Sequence, residues 1–209
     1  MCVDDFMIPD CLAPIRGALL EDGELETVGQ LRSGDWVSME RFDAVPEARR
    51  LIYETIYRGP LPGREMAGSV LRDAKLRRNL HSRAFRAWLS TITGQPIGTT
   101  GAINLKRLDR QHFLRWHKDY EPGRALCMVL YLHNEWLPAY GGRLQFRRGE
   151  SEIHSLEPLF NRLVLFNPQS KAEHAVEPMT AAATNWARLN YSVWFSHSDG
   201  RAVPAPPHV

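Results

Sequence analysis

Arg188-Leu189-Asn190-Tyr191-Ser192-Val193-Trp194-Phe195 alternates between two kinds of side chain, the period of a strand with unlike faces. Arg188, Asn190, Ser192 and Trp194 share one face, and Leu189, Tyr191, Val193 and Phe195 share the other. The apolar row calls for a packed core beneath it. The row that begins with an arginine calls for an enclosed, partly polar interior. Upstream, the second half of the chain breaks into further short extended runs rich in Val, Leu, Phe, Tyr and Trp. They fall at 102–108, 113–119, 125–132, 143–148, 162–166, 173–177 and 188–196, separated by Gly, Pro and Asn turns. So many short strands in succession predict a jelly-roll or barrel.

Before Gly94 the spacing changes. Asp10 is placed to cap a helix reaching Leu20, residues 46–57 put Leu51, Ile52, Tyr53 and Ile56 at helical intervals, and residues 82–93 repeat the pattern and stop at Gly94. Only 35–42 alternates like a strand. The expectation is an α+β fold. One domain spans 1–200, with a helical support region at 1–95 and a β core at 96–197, followed by a proline-rich, disordered tail at 201–209.

Composition narrows the function classes. The chain has 209 residues, 44% hydrophobic and 24% charged, which is the profile of a soluble globular protein. Its formal net charge of +2 is scattered, so no nucleic-acid partner is expected, and Arg77-Arg78 and Arg147-Arg148 read as solvated surface. No run is long enough to span a membrane and the opening residues lack the blocks of a secretory signal, so a cytoplasmic protein without a membrane partner is expected. Three cysteines without metal-site spacing argue against a disulfide framework.

Chemistry enters with Arg115-Trp-His-Lys-Asp119. On a strand, His117 and Asp119 project to the same side, as two ligands of a 2-His-1-carboxylate site would. His174, in Ala172-Glu-His-Ala-Val-Glu-Pro178, offers the third ligand, with His154 as a rival. Arg188, facing inward, needs an anionic partner, and the distal carboxylate of a dicarboxylic keto acid would be one. Gly141-Gly142 reads as a turn.

Six motifs occur in order: Phe113-Leu-Arg-Trp-His-Lys-Asp119; Gly123 through Trp136; Gly141-Gly-Arg-Leu144; Leu156-Glu-Pro158 with Asn161 through Phe166; His174-Ala-Val-Glu-Pro178; and Arg188 through Phe195. Over roughly residues 100–196 the chain resembles the prolyl-4-hydroxylase type of Fe(II)/2-oxoglutarate-dependent dioxygenases. The resemblance implies a double-stranded β-helix and Fe(II) on His117, Asp119 and His174. It implies 2-oxoglutarate held by Arg188 and Tyr131, with Ser192 and Trp194 completing the pocket, O2 as co-reactant and ascorbate as a candidate reductant. The implied reaction is hydroxylation of an amino-acid, peptidyl or natural-product substrate, with Arg124 and Trp36 as candidate substrate contacts. Asp119 fills a position that is small in related halogenases, which disfavours halogenation. One departure is Arg107-Leu-Asp-Arg-Gln-His112, where the family often has a tyrosine and a Gly-Asp pair, so contacts made there do not carry over. Two other readings stand beside this one: a non-catalytic ligand-binding module, and a zinc hydrolase on a jelly-roll scaffold.

Overall fold

The computed structural model describes residues 1–149, 152–170 and 172–198; the tail expected at 201–209 lies outside the described residues. In chain order the strands are β1 (Cys2–Val3), β2 (Gly23–Leu31), β3 (Trp36–Val37), β4 (Arg50–Pro60), β5 (Ile97–Leu108), β6 (Phe113–Leu114) and β7 (Arg124–Tyr131). They continue with β8 (Leu144–Arg147), β9 (Ile153–Leu156), β10 (Leu163–Phe166), β11 (Glu173–Val176) and β12 (Arg188–His197). The helices are α1 (Pro9–Leu12), α2 (Arg16–Leu20), α3 (Met39–Ala44), α4 (Gly68–Leu80) and α5 (Arg83–Thr93). Among the described residues no helix is long and apolar enough to cross a membrane.

Nine strands form one antiparallel sheet, ordered β1-β10-β7-β12-β5-β4-β2-β3 with β6 paired to β4; β11-β8-β9 form a second, smaller sheet. Leu189, Tyr191, Val193 and Phe195 of β12 pack with Leu105, Met128 and Leu130 against Leu12, Ile15 and Leu19 and against Leu76, Leu80 and Leu89 of the helices. Each such leucine, fully withdrawn from water, contributes about 1.5–3 kcal/mol. On the opposite face Val129, Tyr131 and Val164 meet Leu144, with Phe146 and Leu156 beside it, which joins the two sheets. Strand β7 is covered on both faces, which explains why 125–132 reads as an unbroken apolar run while β12 alternates.

The N-terminal half departs from the helical expectation. Residues 50–60 form strand β4, not a helix; only Glu47–Arg49 makes a 3-10 turn. The intervals of Leu51, Ile52, Tyr53 and Ile56 also suit a strand buried on both sides, and β-branched and aromatic residues favour it. Its partners, β2 along its whole length and β5 at Thr55 and Ile56, lie far away in sequence. Strand β2 was not foreseen, and neither was α4, whose charged surface leaves only Val70, Leu76, Leu80 and a few small or polar residues buried. The strand expected at 35–42 stops at Val37, because Ser38 caps α3 by accepting from the Arg41 amide at 3.3 Å. The helix expected at 10–20 begins at Pro9 and is broken by a 3-10 turn at Ala13–Ile15. Helix α5 follows its sequence pattern closely, capped by Ser82 and ended by Gly94 at φ 68°.

Candidate metal and anion site

The His117 segment is less regular than a strand. Strand β6 ends at Leu114, and His117 rejoins regular pairing through one bridge to His174, with reciprocal backbone hydrogen bonds of 3.0 and 2.9 Å. That bridge holds two imidazoles from distant parts of the chain side by side, with ring centroids 4.2 Å apart. Asp119 closes the group: Oδ1 lies 3.8 Å from His117 Nε2, and Oδ2 lies 3.4 Å from His174 Nε2. One ligating atom from each of the three residues lies within 4.8 Å of the others. Two imidazoles and one carboxylate suit Fe(II) or Zn(II). His154, the rival, stands 72% exposed on β9 and pairs with Glu152.

The electrostatics favour cation binding. His117 Nδ1 lies 2.7 Å from the Arg115 carbonyl oxygen; donating a proton there leaves Nε2 free as a ligand. Burial, reinforced by His174, pushes the His117 pKa down to about 4 and keeps the ring neutral. Burial works against the Asp119 carboxylate, yet the hydrogen bond and charge of His174, with His117 and Trp194, outweigh it and hold Asp119 ionised well below the usual carboxylate range. Cys127 Sγ approaches Asp119 Oδ2 at 3.7 Å, and burial pushes that thiol far above its usual range, so it acts as a neutral neighbour. The Trp194 indole N–H points toward Asp119 without completing a hydrogen bond.

These residues line a cavity of about 450 Å³ between the sheets. Arg188, Asn190, Ser192 and Trp194 all face it, as the alternation of β12 requires. Arg188 is only 2% exposed; its Nη1 donates to Asn190 Oδ1 at 2.6 Å and its Nη2 to Tyr131 Oη at 3.2 Å. The guanidinium also lies over the Tyr131 ring at 4.9 Å. Its Nε has no partner, and none of the ion pairs among the described residues includes Arg188. A buried cation with an orphaned N–H beside a cavity is suited to a bound carboxylate. Burial raises the pKa of Tyr131, against the pull of Arg188, so its hydroxyl stays protonated and can donate.

At the cavity mouth Trp36 is 54% exposed, near Arg32, Lys118 and Tyr120. Arg124 hydrogen-bonds the Asp119 carbonyl oxygen at 2.6 Å and stacks over Trp194 at 5.5 Å, which ties the mouth to the His117, Asp119 and His174 cluster. Every site residue singled out from the sequence except Tyr131 is in the cavity lining, and Tyr131 reaches the site through Arg188. Sequence reasoning passed over Lys106, Glu54, Asn104 and Cys127, which also line it. Alternation from Leu108 back through Lys106 and Asn104 could have found two of them; Glu54 was hidden by its helical reading.

Residues 103–196 match the family model for the 2OG-Fe(II) oxygenase superfamily. A stretch of 136 residues, 62% of this chain, is 29% identical to prolyl 3-hydroxylase OGFOD1 of Mus musculus and covers 24% of it. Over 82 residues, 38% of this chain, the identity to prolyl hydroxylase EGLN3 of Homo sapiens is 34%, covering 32% of that protein. The chain thus spans about a quarter to a third of the length of the curated relatives it matches. Among solved structures, a Pseudomonas putida prolyl-4-hydroxylase superposes with a TM-score of 0.61 at 19% identity, covering 94% of this chain and 91% of that one. A prolyl hydroxylase from Trichoplax adhaerens, solved with a hypoxia inducible factor peptide fragment, gives 0.62 at 18% identity, covering 98% and 86%. At these identities the structural likeness concerns the fold.

Proposed function

We propose, from the 2OG-Fe(II) oxygenase superfamily region at residues 103–196, that this chain is an Fe(II)/2-oxoglutarate-dependent dioxygenase of the prolyl-4-hydroxylase type that hydroxylates a peptidyl substrate. The two sheets are then the walls of a double-stranded β-helix. The observation that carries the reading is Arg188: a buried, acid-free guanidinium with an unpartnered N–H, in the cavity that also holds the His117, Asp119 and His174 donors. A zinc hydrolase gives such a cation no task, and a non-catalytic ligand-binding module gives none to the three metal-type donors beside it.

In this reading His117, Asp119 and His174 hold the metal, while Arg188 and Tyr131 grip the distal carboxylate of 2-oxoglutarate and Ser192 and Trp194 line its seat. Bound together, Fe(II), 2-oxoglutarate and O2 supply an oxidant able to hydroxylate a C–H bond, with succinate and CO2 as co-products and ascorbate as an external reductant. The protein's own residues orient and exclude water. The His117–Arg115 hydrogen bond fixes the imidazole tautomer, Arg124 fixes the loop that carries Asp119, and Val129, Leu144 and Val176 supply an apolar part of the cavity wall. Trp36 and Arg124 at the mouth are positioned to contact a peptide, and a prolyl residue is the target favoured by the relatives' names. A cytoplasmic location belongs to the same proposal, supported by three free cysteines.

The test is to incubate iron-loaded protein with 2-oxoglutarate and proline-containing peptides, measuring succinate and peptide mass together. Stoichiometric succinate and one added oxygen on proline are expected. Hydrolysed peptide without succinate would favour the zinc hydrolase instead.

A further inference from the structure

Of the cations that line the cavity, Arg188 and Lys106 are the two buried ones, while Arg32, Lys118 and Arg124 are more exposed. Arg188 lies on β12, and Lys106 lies on β5, directly opposite Asn190 in the register. Lys106 is 5% exposed, and its Nζ sits 2.7 Å from Oε1 and 2.9 Å from Oε2 of Glu54, only the second with hydrogen-bond geometry. Glu54 is fully buried and comes from β4, a strand joined to β5 by only two residue pairs. Lys106 Nζ also lies 5.5 Å from the centroid of Trp194, a residue that lines the cavity with Asp119 and His117. Lys106 therefore stands toward the metal end of the cavity, while Arg188 and Tyr131 mark the other end.

Stability alone does not account for the pair. Withdrawing an ammonium and a carboxylate from water costs about as much as their attraction returns, and two apolar side chains would fill the same space. Placed in a cavity wall, the pair keeps a cation available inside the protein, with Glu54 as its counter-charge. A 2-oxo dicarboxylate carries a negative charge at each end, and a cavity that seats it is served by a cation at each.

We propose that Lys106, with Glu54 as counter-ion, is a second positioning residue for the cosubstrate, facing its metal-proximal carboxylate while Arg188 faces the distal one. This rests on the dioxygenase reading above. Glu54 tempers the attraction, so the two residues together set how tightly the keto acid is held without either becoming a metal ligand.

The test is anaerobic calorimetric titration of 2-oxoglutarate into Fe(II)-loaded protein, a binding readout independent of turnover. Lys106→Met/Glu54→Gln removes both charges at nearly constant volume; its 2-oxoglutarate affinity is expected to fall roughly tenfold with Fe(II) affinity unchanged. Glu54→Gln alone, which leaves Lys106 without its counter-charge, is expected to bind 2-oxoglutarate as tightly as the parent or more tightly. Parent-like affinity in the double variant would overturn the proposal by reducing the pair to a structural ion pair. Weaker binding in Glu54→Gln would overturn it too, and that variant decides the matter should the double variant not fold. Arg188→Met separates the two levels. Loss there with none in the double variant refutes the role of Lys106 alone, whereas a parent protein that binds no 2-oxoglutarate refutes the dioxygenase reading.

Discussion

Arg188→Met separates the cost of a buried charge from its use. In the free protein the substitution removes a guanidinium that is 2% exposed, lacks an acidic partner and leaves its Nε unsatisfied, so a desolvation burden disappears. Against this, Asn190 Oδ1 and Tyr131 Oη lose donors at 2.6 and 3.2 Å. Two neutral groups losing partners cost about 1–3 kcal/mol each at most, and both can rotate toward the space vacated. The opposing terms are of similar size, so the unliganded fold should change stability by no more than about 2 kcal/mol. Cosubstrate binding has no such compensation. A carboxylate left without its charged partner in a dry cavity loses about 2–5 kcal/mol, roughly 30- to 5,000-fold in Kd. The assay pairs urea unfolding of the metal-free variant with anaerobic titration of 2-oxoglutarate into the Fe(II)-loaded one, followed by its charge-transfer absorption. Affinity within threefold of the parent would refute the reasoning, and a variant that cannot fold would show that Arg188 is chiefly structural.

His117→Ala, Asp119→Ala and His174→Ala should each abolish Fe(II) binding and 2-oxoglutarate-dependent succinate release, while His154→Ala, on an exposed residue, should bind Fe(II) as the parent does in equilibrium dialysis. Iron lost with His154→Ala but kept with His174→Ala would reverse the ligand assignment. The stability of the metal-free protein should fall as pH drops from about 6.5 to about 4. His117 and His133 are buried neutral, each with its pKa pushed down to about 4 mainly by burial, so in that window the unfolded chain binds more protons. The slope should reach about 1.4 kcal/mol per pH unit for each histidine, and urea melts at pH 4.5, 5.5 and 6.5 measure it; a flat profile contradicts the burial argument. Gly29→Ala should destabilise the protein by about 1–3 kcal/mol, because a Cβ there would stand 2.3 Å from the Phe42 ring and push α3 off β2. A thermal melt matching the parent would mean that this contact yields freely.

The C-terminal half was legible because its signals are local. The strands of 102–196 other than the exposed β9, which was not foreseen, announce themselves by apolar runs and turn residues, and the alternation in β12 alone assigns Arg188, Asn190, Ser192 and Trp194 to the cavity and Leu189, Tyr191, Val193 and Phe195 to the helices. The H-x-D spacing put His117 and Asp119 on one side even though the strand around them is mostly irregular. Helix α5, framed by Ser82 and Gly94, was equally plain, since caps are properties of a few adjacent residues.

What the sequence could not decide depended on partners far along the chain. Residues 51–57 fit a helix face or a doubly buried strand equally well by spacing, and only pairing with β2, β5 and β6 made them β4. The same pairing makes Glu54 intelligible: a lone acid in an apolar segment reads as solvent-facing until Lys106, 52 residues later, arrives 2.9 Å away. The placement of the two candidate histidines follows in the same way: a single β-bridge brings His174 beside His117, while His154 stands in water. Local pattern determined which residues alternate, cap and turn, because those preferences are written in neighbouring side chains. Which buried charges meet, and therefore where the cavity carries its chemistry, was decided by long-range strand pairing, because the free energy of burying a charge depends on a partner that the sequence does not keep nearby.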